Sequence, residues 1–204
     1  MRRFLPLLAL LPFASPSAAQ VIEAPAGIGW RSIATNDDRE RLRDWREAWV
    51  EALTQIRAGS NAGEIAREGA LFEPDIALPN ALPPVGDYDC RTIKLGSPDP
   101  AGLDYVAYPA FRCRLHMRGG RLHFTKLTGS QRPVGIIFPD NSRRMIFLGT
   151  LMLGDERLAL RYGRDRERNL IGIVERVGDG RWRIAFPRPH FESLLDITEL
   201  VPRD

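Results

Sequence analysis

Tyr108-Pro109-Ala110-Phe111-Arg112-Cys113-Arg114-Leu115-His116-Met117-Arg118-Gly119-Gly120-Arg121-Leu122-His123-Phe124-Thr125-Lys126-Leu127 is the stretch that decides the fold. Phe111, Cys113, Leu115 and Met117 alternate with Arg112, Arg114 and His116. A period of two places one set on a buried face and the other in water, as in a half-buried antiparallel strand. Gly119-Gly120 is turn chemistry, and Arg121–Leu127 returns as the partner strand.

Outward from this hairpin the pattern repeats. Tyr88–Leu95 precedes it, and Val134–Phe138, Arg144–Leu151, Leu158–Tyr162, Leu170–Val177 and Trp182–Phe186 follow. Pro139-Asp140-Asn141, Gly154-Asp155 and Gly178-Asp179-Gly180 separate them. About eight short antiparallel strands predict a closed or nearly closed β-barrel, which removes sheet edges, with a two-sheet sandwich as the alternative. Residues 192–200 close the pattern as a last strand or a short helix.

The N-terminal side reads differently. Residues 20–34 are expected to form an extended lead-in, with Trp30 free to pack on the body. Thr35-Asn36-Asp37-Asp38 offers a cap and first-turn acids. Leu42, Trp45, Trp49, Ala52, Leu53 and Ile56 then recur at steps that put them on one helical face, and Gly59 ends it. Ala62 to Glu68 predicts a second helix, stopped by Gly69. Pro74, Pro79, Pro83 and Pro84 exclude a helix or central strand between Phe72 and Gly86 and leave a strap. The expected class is mainly β (α+β), a barrel with an N-terminal helical extension. Its parts are a signal peptide at 1–19, lead-in, helices and strap at 20–86, and the barrel at 87–204.

Met1-Arg2-Arg3, the apolar run Phe4 to Ala14 and the exit Ser15-Pro16-Ser17-Ala18-Ala19 have the three parts of a cleaved secretion signal, with the cut after Ala19. An apolar run of about 11 residues is too short to span a bilayer as a helix. The expected location is therefore periplasmic or secreted. The formal charge is +3; without Arg2 and Arg3 there are 27 basic and 26 acidic residues, net +1. Such a balance gives no reason to expect nucleic acid as a partner, and no later segment is apolar enough for a membrane span. Lys94 and Lys126 are the only lysines; the other 27 basic residues are arginines. Cys90 and Cys113, an even count in an exported chain, predict one disulfide.

The sequence holds no GxSxG elbow, HExxH, Walker loop or GxGxxG. His116 and His123 fall on neighbouring strands, yet a zinc site needs further ligands that the sequence does not supply; neither a metal nor a cofactor is expected. The turn around Thr128, Ser130, Gln131 and Arg132 gathers two hydroxyls, an amide and a guanidinium. It reads as an anion or ligand site, or as a polar turn whose side chains bond its own backbone. A second polar group comprises His123, Asp165, Glu175 and Arg176. Asp165 and Glu175 are a candidate carboxylate pair for acid and base work, against the simpler reading of a charged, solvated loop.

Gly86-Asp87-Tyr88-Asp89-Cys90-Arg91, Tyr108 to Cys113, Lys126 to Arg132, Phe147-Leu148-Gly149-Thr150, Tyr162-Gly163-Arg164-Asp165 and Pro187 to Asp196 occur together in this order. In this set the chain resembles an uncharacterised bacterial exported family, domain of unknown function 4893. The resemblance implies no activity and carries over no catalytic residue. Gly86-Asp87-Tyr88 is also similar to the Gly-x-Trp opening of lipocalin-like barrels, including periplasmic protease inhibitors. The expected function is a non-catalytic binding or inhibitory module for a small ligand or a protein partner. A hydrolase centred on Thr128 to Arg132 and an envelope structural protein are the alternatives.

Overall fold

The computed structural model describes residues 27–203, so the signal segment and its cut after Ala19 lie outside the described residues. Eight strands run antiparallel in chain order around a closed barrel: β1 (Gly86–Leu95), β2 (Tyr105–Arg118), β3 (Arg121–Lys126), β4 (Gln131–Pro139), β5 (Arg144–Leu153), β6 (Asn169–Gly178), β7 (Arg181–Pro187) and β8 (Leu195–Pro202). β1 pairs with β8 from Tyr88 opposite Pro202 to Leu95 opposite Leu195. That ladder joins first strand to last, leaves no open edge and excludes the sandwich.

One expected strand is absent. Leu158–Tyr162 lies in the loop between β5 and β6, and β8 is the eighth member instead. Leu158 is exposed, and the Tyr162 hydroxyl donates to Asp38 and accepts from the Thr35 backbone N–H. Tyr162 thus anchors a helix rather than continuing a pleat.

Among the described residues four α-helices precede the barrel: α1 (Trp30–Ile33), α2 (Asn36–Arg43), α3 (Trp45–Ala58) and α4 (Ala62–Glu68). Thr35 caps α2 by accepting from the Asp38 N–H at 3.2 Å. The single apolar stripe expected from Leu42 to Ile56 is broken at Asp44 (φ −91°, ψ 15°). The break lets α2 lie on β6 while α3 covers β1, β7 and β8. On α3, Trp49, Ala52, Leu53 and Ile56 are buried against Ile93, Leu95, Ala185, Leu195 and Ile197. Trp30 is buried over the outer faces of β4, β5 and β6, and its indole N–H donates to Asp140 at 3.1 Å.

The strap expected between Phe72 and Gly86 is pinned chiefly by Arg183, with Arg143 donating to the Ala77 carbonyl at 2.7 Å and the Leu78 N–H to the Arg176 carbonyl at 2.9 Å. Arg183 on β7 is fully buried on the outer wall. Its guanidinium donates to the carbonyls of Leu71 (2.8 Å), Glu73 (2.9 Å) and Ile76 (3.2 Å) and to the Glu175 carboxylate at 2.6 Å. Beyond that anchor, Ala81 joins the interior cluster and the Tyr88 hydroxyl donates to the Pro84 carbonyl at 2.6 Å. The strap thus closes one end of the barrel.

Inside, Phe147 meets Phe124 and Phe186 edge to face, at centroid distances of 5.9 and 5.4 Å. Gly135 and Gly149 face each other beneath it; a Cβ on either would stand 2.7 Å from the Phe147 ring. Cys90 and Cys113 form the expected disulfide, with Cα atoms 5.9 Å apart. Tyr88 opposes Cys113 and Cys90 opposes Phe111, so the bridge runs diagonally across the inner face of β1 and β2.

Candidate ligand site

The barrel interior is divided by polarity along its axis. Toward the strap the inward residues are apolar, among them Leu115, Leu122, Ile137, Val174 and Leu200. At the other end the same inward rows turn polar. β3 buries Leu122 and Phe124 and then Lys126. β1 continues from Tyr88 and Cys90 to Thr92 and Lys94. β8 begins with Asp196 and Thr198, which stand opposite Lys94 and Thr92. These groups surround a cavity of about 190 Å³. Phe186, Leu151 and Leu170 also line it, and Tyr108, Phe191 and Glu192 belong to its lining.

Both lysines of the chain are here, and both are buried: Lys94 is 6 % exposed and Lys126 3 %. Their surroundings differ. Lys94 Nζ lies 3.1 Å from Asp196 and 3.4 Å from Glu192. Lys126 Nζ donates to Thr92 Oγ1 at 3.1 Å and sits 3.9 Å from the centroid of the Phe111 ring. Among the described residues it has no carboxylate within ion-pair distance. Burial pushes its ammonium down to about 8, against the attraction of Asp196 and with the repulsion of Lys94. The Asp196 carboxyl is pushed up by burial, opposed by Lys94 and by the Ser193 hydroxyl, which donates to it at 2.5 Å.

The wall that carries these groups is braced from outside. Ile93 and Leu95 flank Lys94, Leu195 and Ile197 flank Asp196, and all four lie under α3. Gln55 on α3 accepts from the Ser97 N–H at 2.8 Å and donates to the Ser97 carbonyl at 3.1 Å, fixing the loop after β1. A Cβ at Gly96 would meet Ala52 Cα at 2.9 Å, so α3 can seat closely only over a glycine. The loop from β7 to β8 contributes Phe191 and Glu192 to the lining; Arg188 (φ 43°) and Glu192 (φ 70°) hold left-handed backbone there. Such strain in non-glycine residues concentrates at ligand clamps.

The residues singled out from sequence are not gathered in one place. Ser130 and Gln131 line the cavity. Thr128 accepts from the Arg112 N–H at 3.0 Å, and Arg132 donates to the carbonyls of Gly154 (2.7 Å) and Glu156 (2.8 Å), so both serve local backbone. His123 stands on the outer face of β3, stacked on His116 at 5.3 Å, and burial, then the His116 charge, hold it below the ordinary histidine range. No cluster among the described residues could hold a metal ion. Asp165 accepts from the Glu167 N–H at 3.1 Å in the loop before β6. Glu175 lies on the outer wall with Arg183 and Arg144, and Arg176 pairs with Asp179 at 2.7 Å. Asp165 and Glu175 stand in separate ion-pair groups, on the β5–β6 loop and under the strap. Lys94, Lys126 and Asp196, which outline the cavity, are legible in the sequence only as inward positions of alternating strands.

No helix among the described residues is long and apolar enough to cross a membrane. No curated protein and no solved structure matches the chain. The family model for DUF4893, a domain of unknown function, matches residues 30–200. That span takes in α1 through β8, including every strand that lines the cavity, and the chain belongs to the DUF4893 family.

Proposed function

We propose that the protein is an exported, non-catalytic binding module that takes a small anionic organic molecule into the open end of its barrel. One observation carries the reading: Lys126 is a buried ammonium on the cavity lining that, among the described residues, has no carboxylate within ion-pair distance. A desolvated charge is costly unless it is paired. A ligand carboxylate beside Lys126 supplies the missing partner, while Ser130, Gln131 and Thr198 offer hydrogen bonds to its oxygens. An eight-stranded barrel has an interior just wide enough to hold one small ligand. The signal-peptide pattern read at residues 1–19 supports a place outside the cytoplasm.

The test is an NMR titration of the purified protein with benzoate and succinate, with benzamide as the neutral control. Amides of Thr92, Phe111, Lys126 and Thr198 are expected to shift with the carboxylates and not with benzamide, and Lys126→Met removes the response. Equal response to benzamide, or shifts confined to the outer surface, sinks the anionic reading. Binding also raises the Lys126 pKa, so above pH 8 it takes up protons.

A further inference from the structure

The chain uses arginine at 27 basic positions and lysine at two, and both lysines face the same cavity. Arginine would serve a permanent positive charge there, as it does everywhere else in the chain. What lysine alone supplies is a primary amine that can lose its proton and attack carbon. Lys126 has the setting such an amine needs. Its head group is desolvated against Phe111, Lys94 also lines the cavity, and Thr92 is its one hydrogen-bond acceptor among the described residues. Lys94 differs: its nitrogen is engaged by Asp196 at 3.1 Å and Glu192 at 3.4 Å, which leaves it less free to attack.

We infer that Lys126 is a covalent anchor, forming a reversible imine with a small carbonyl compound, an aldehyde or a 2-oxo acid, held in the open end of the barrel. The inference deepens the binding reading above and rests on the same cavity. The Lys126 lone pair forms a C–N bond to the carbonyl carbon while the carbonyl π pair moves to oxygen. Both amine protons end on that oxygen, which leaves as water as the C=N bond forms. No oxidant or reductant enters. Asp196 lines the same cavity, and the charge of its carboxyl reaches Lys126. Glu192 and the adjacent Lys94 are the remaining titratable groups whose charge bears on that carboxyl.

The experiment treats the purified protein with glyoxylate, pyruvate or 4-carboxybenzaldehyde, traps imines with cyanoborohydride, and maps the adducts by peptide mass spectrometry. Two lysines and one α-amine make the map unambiguous. Lys126 is expected to carry at least about ten times more adduct than the α-amine, whose neutral fraction is similar but which has no cavity to hold the carbonyl compound, and more than the ion-paired Lys94. Lys126→Met removes that adduct and Lys94→Met leaves it. Circular dichroism of both variants separates loss of reaction from loss of fold. In the native protein, labelling no higher at Lys126 than at the α-amine overturns the inference. Benzoate binding without any trapped adduct leaves the binding reading standing and removes the imine. Adducts of uncharged benzaldehyde equal to those of 4-carboxybenzaldehyde keep the imine and remove the preference for anions.

Discussion

At the scale of single residues, Lys126 is where stability and chemistry oppose each other. Its folded pKa of about 8 lies below the ordinary 10.5 because burial disfavours the charge. The folded state therefore binds fewer protons than the unfolded chain between those values, and stability rises with pH across that window. Below about pH 8 the full penalty of about 3 kcal/mol is present; above about 10.5 it is gone. Lys94, Asp196 and Glu192 are the charged groups that share the cavity with it. Lys126→Met keeps the stem and removes the ammonium, so it is expected to stabilise the protein by about 1–3 kcal/mol near neutral pH, net of the lost bond to Thr92. Urea denaturation at pH about 6 and about 11 checks this, and a gain that persists unchanged at the higher pH contradicts it. The inward direction of Lys126 is legible in the sequence, because it continues the row Leu122, Phe124. What the sequence does not reveal is that Lys94 and Asp196 open from the same end, since that follows only once β1 and β8 pair. The turn at Thr128 to Arg132 attracts a site reading for its residue types, yet hydroxyls and guanidinium groups in turns equally bond backbone, as Thr128 and Arg132 do.

At the scale of elements, the strap and the α2 helix belong to no sheet strand and are held to the barrel by polar anchors. Arg183 gathers the carbonyls of residues 70–76 and pairs with Glu175, with both side chains within about 1 % of full burial. Breaking a buried pair by removing one partner leaves an uncompensated charge and costs about 3–5 kcal/mol. Arg183→Met is therefore expected to destabilise by that amount and to free the strap, seen as new proteolytic cuts between residues 73 and 85. Glu175→Gln added to Arg183→Met should cost less than the two single changes together, because the second change removes a buried carboxylate left with Arg144 alone. A second anchor is Tyr162, whose hydroxyl joins Asp38 and Thr35 at the start of α2. Tyr162→Phe keeps the ring and leaves Asp38 with Arg41 and Thr35 alone; a loss of about 1–2 kcal/mol is expected by thermal or urea unfolding. Reading Leu158–Tyr162 as a strand misses this because apolar alternation over five residues does not distinguish a pleat from a loop that packs sideways. The helices and the Pro-rich strap are legible, because proline and glycine exclude alternatives by geometry alone.

At the scale of the whole molecule, closure makes eight short ladders into one cooperative unit. Every strand has two neighbours, so separating any pair opens an edge and exposes part of the interior. The disulfide reinforces one of these seams from inside, tying β1 to β2 across a loop of 23 residues. In the chain-entropy account, a loop of that length stabilises the folded state by about 3 kcal/mol through the unfolded chain. The bridge also fixes the inner faces from which Thr92, Phe111 and Lys126 reach the cavity, since Lys126 stands directly opposite Cys113. Replacing both cysteines by alanine is therefore expected to lower stability by about 2–4 kcal/mol while unfolding remains a single transition. Coincident fluorescence and far-ultraviolet dichroism curves in urea check the cooperativity. If the ladders instead melt separately, the two probes part and the β1–β2 seam is what held the barrel as a unit. If they coincide, the β1–β8 ladder and the aromatic layer of Phe124, Phe147 and Phe186 suffice for cooperativity without the disulfide.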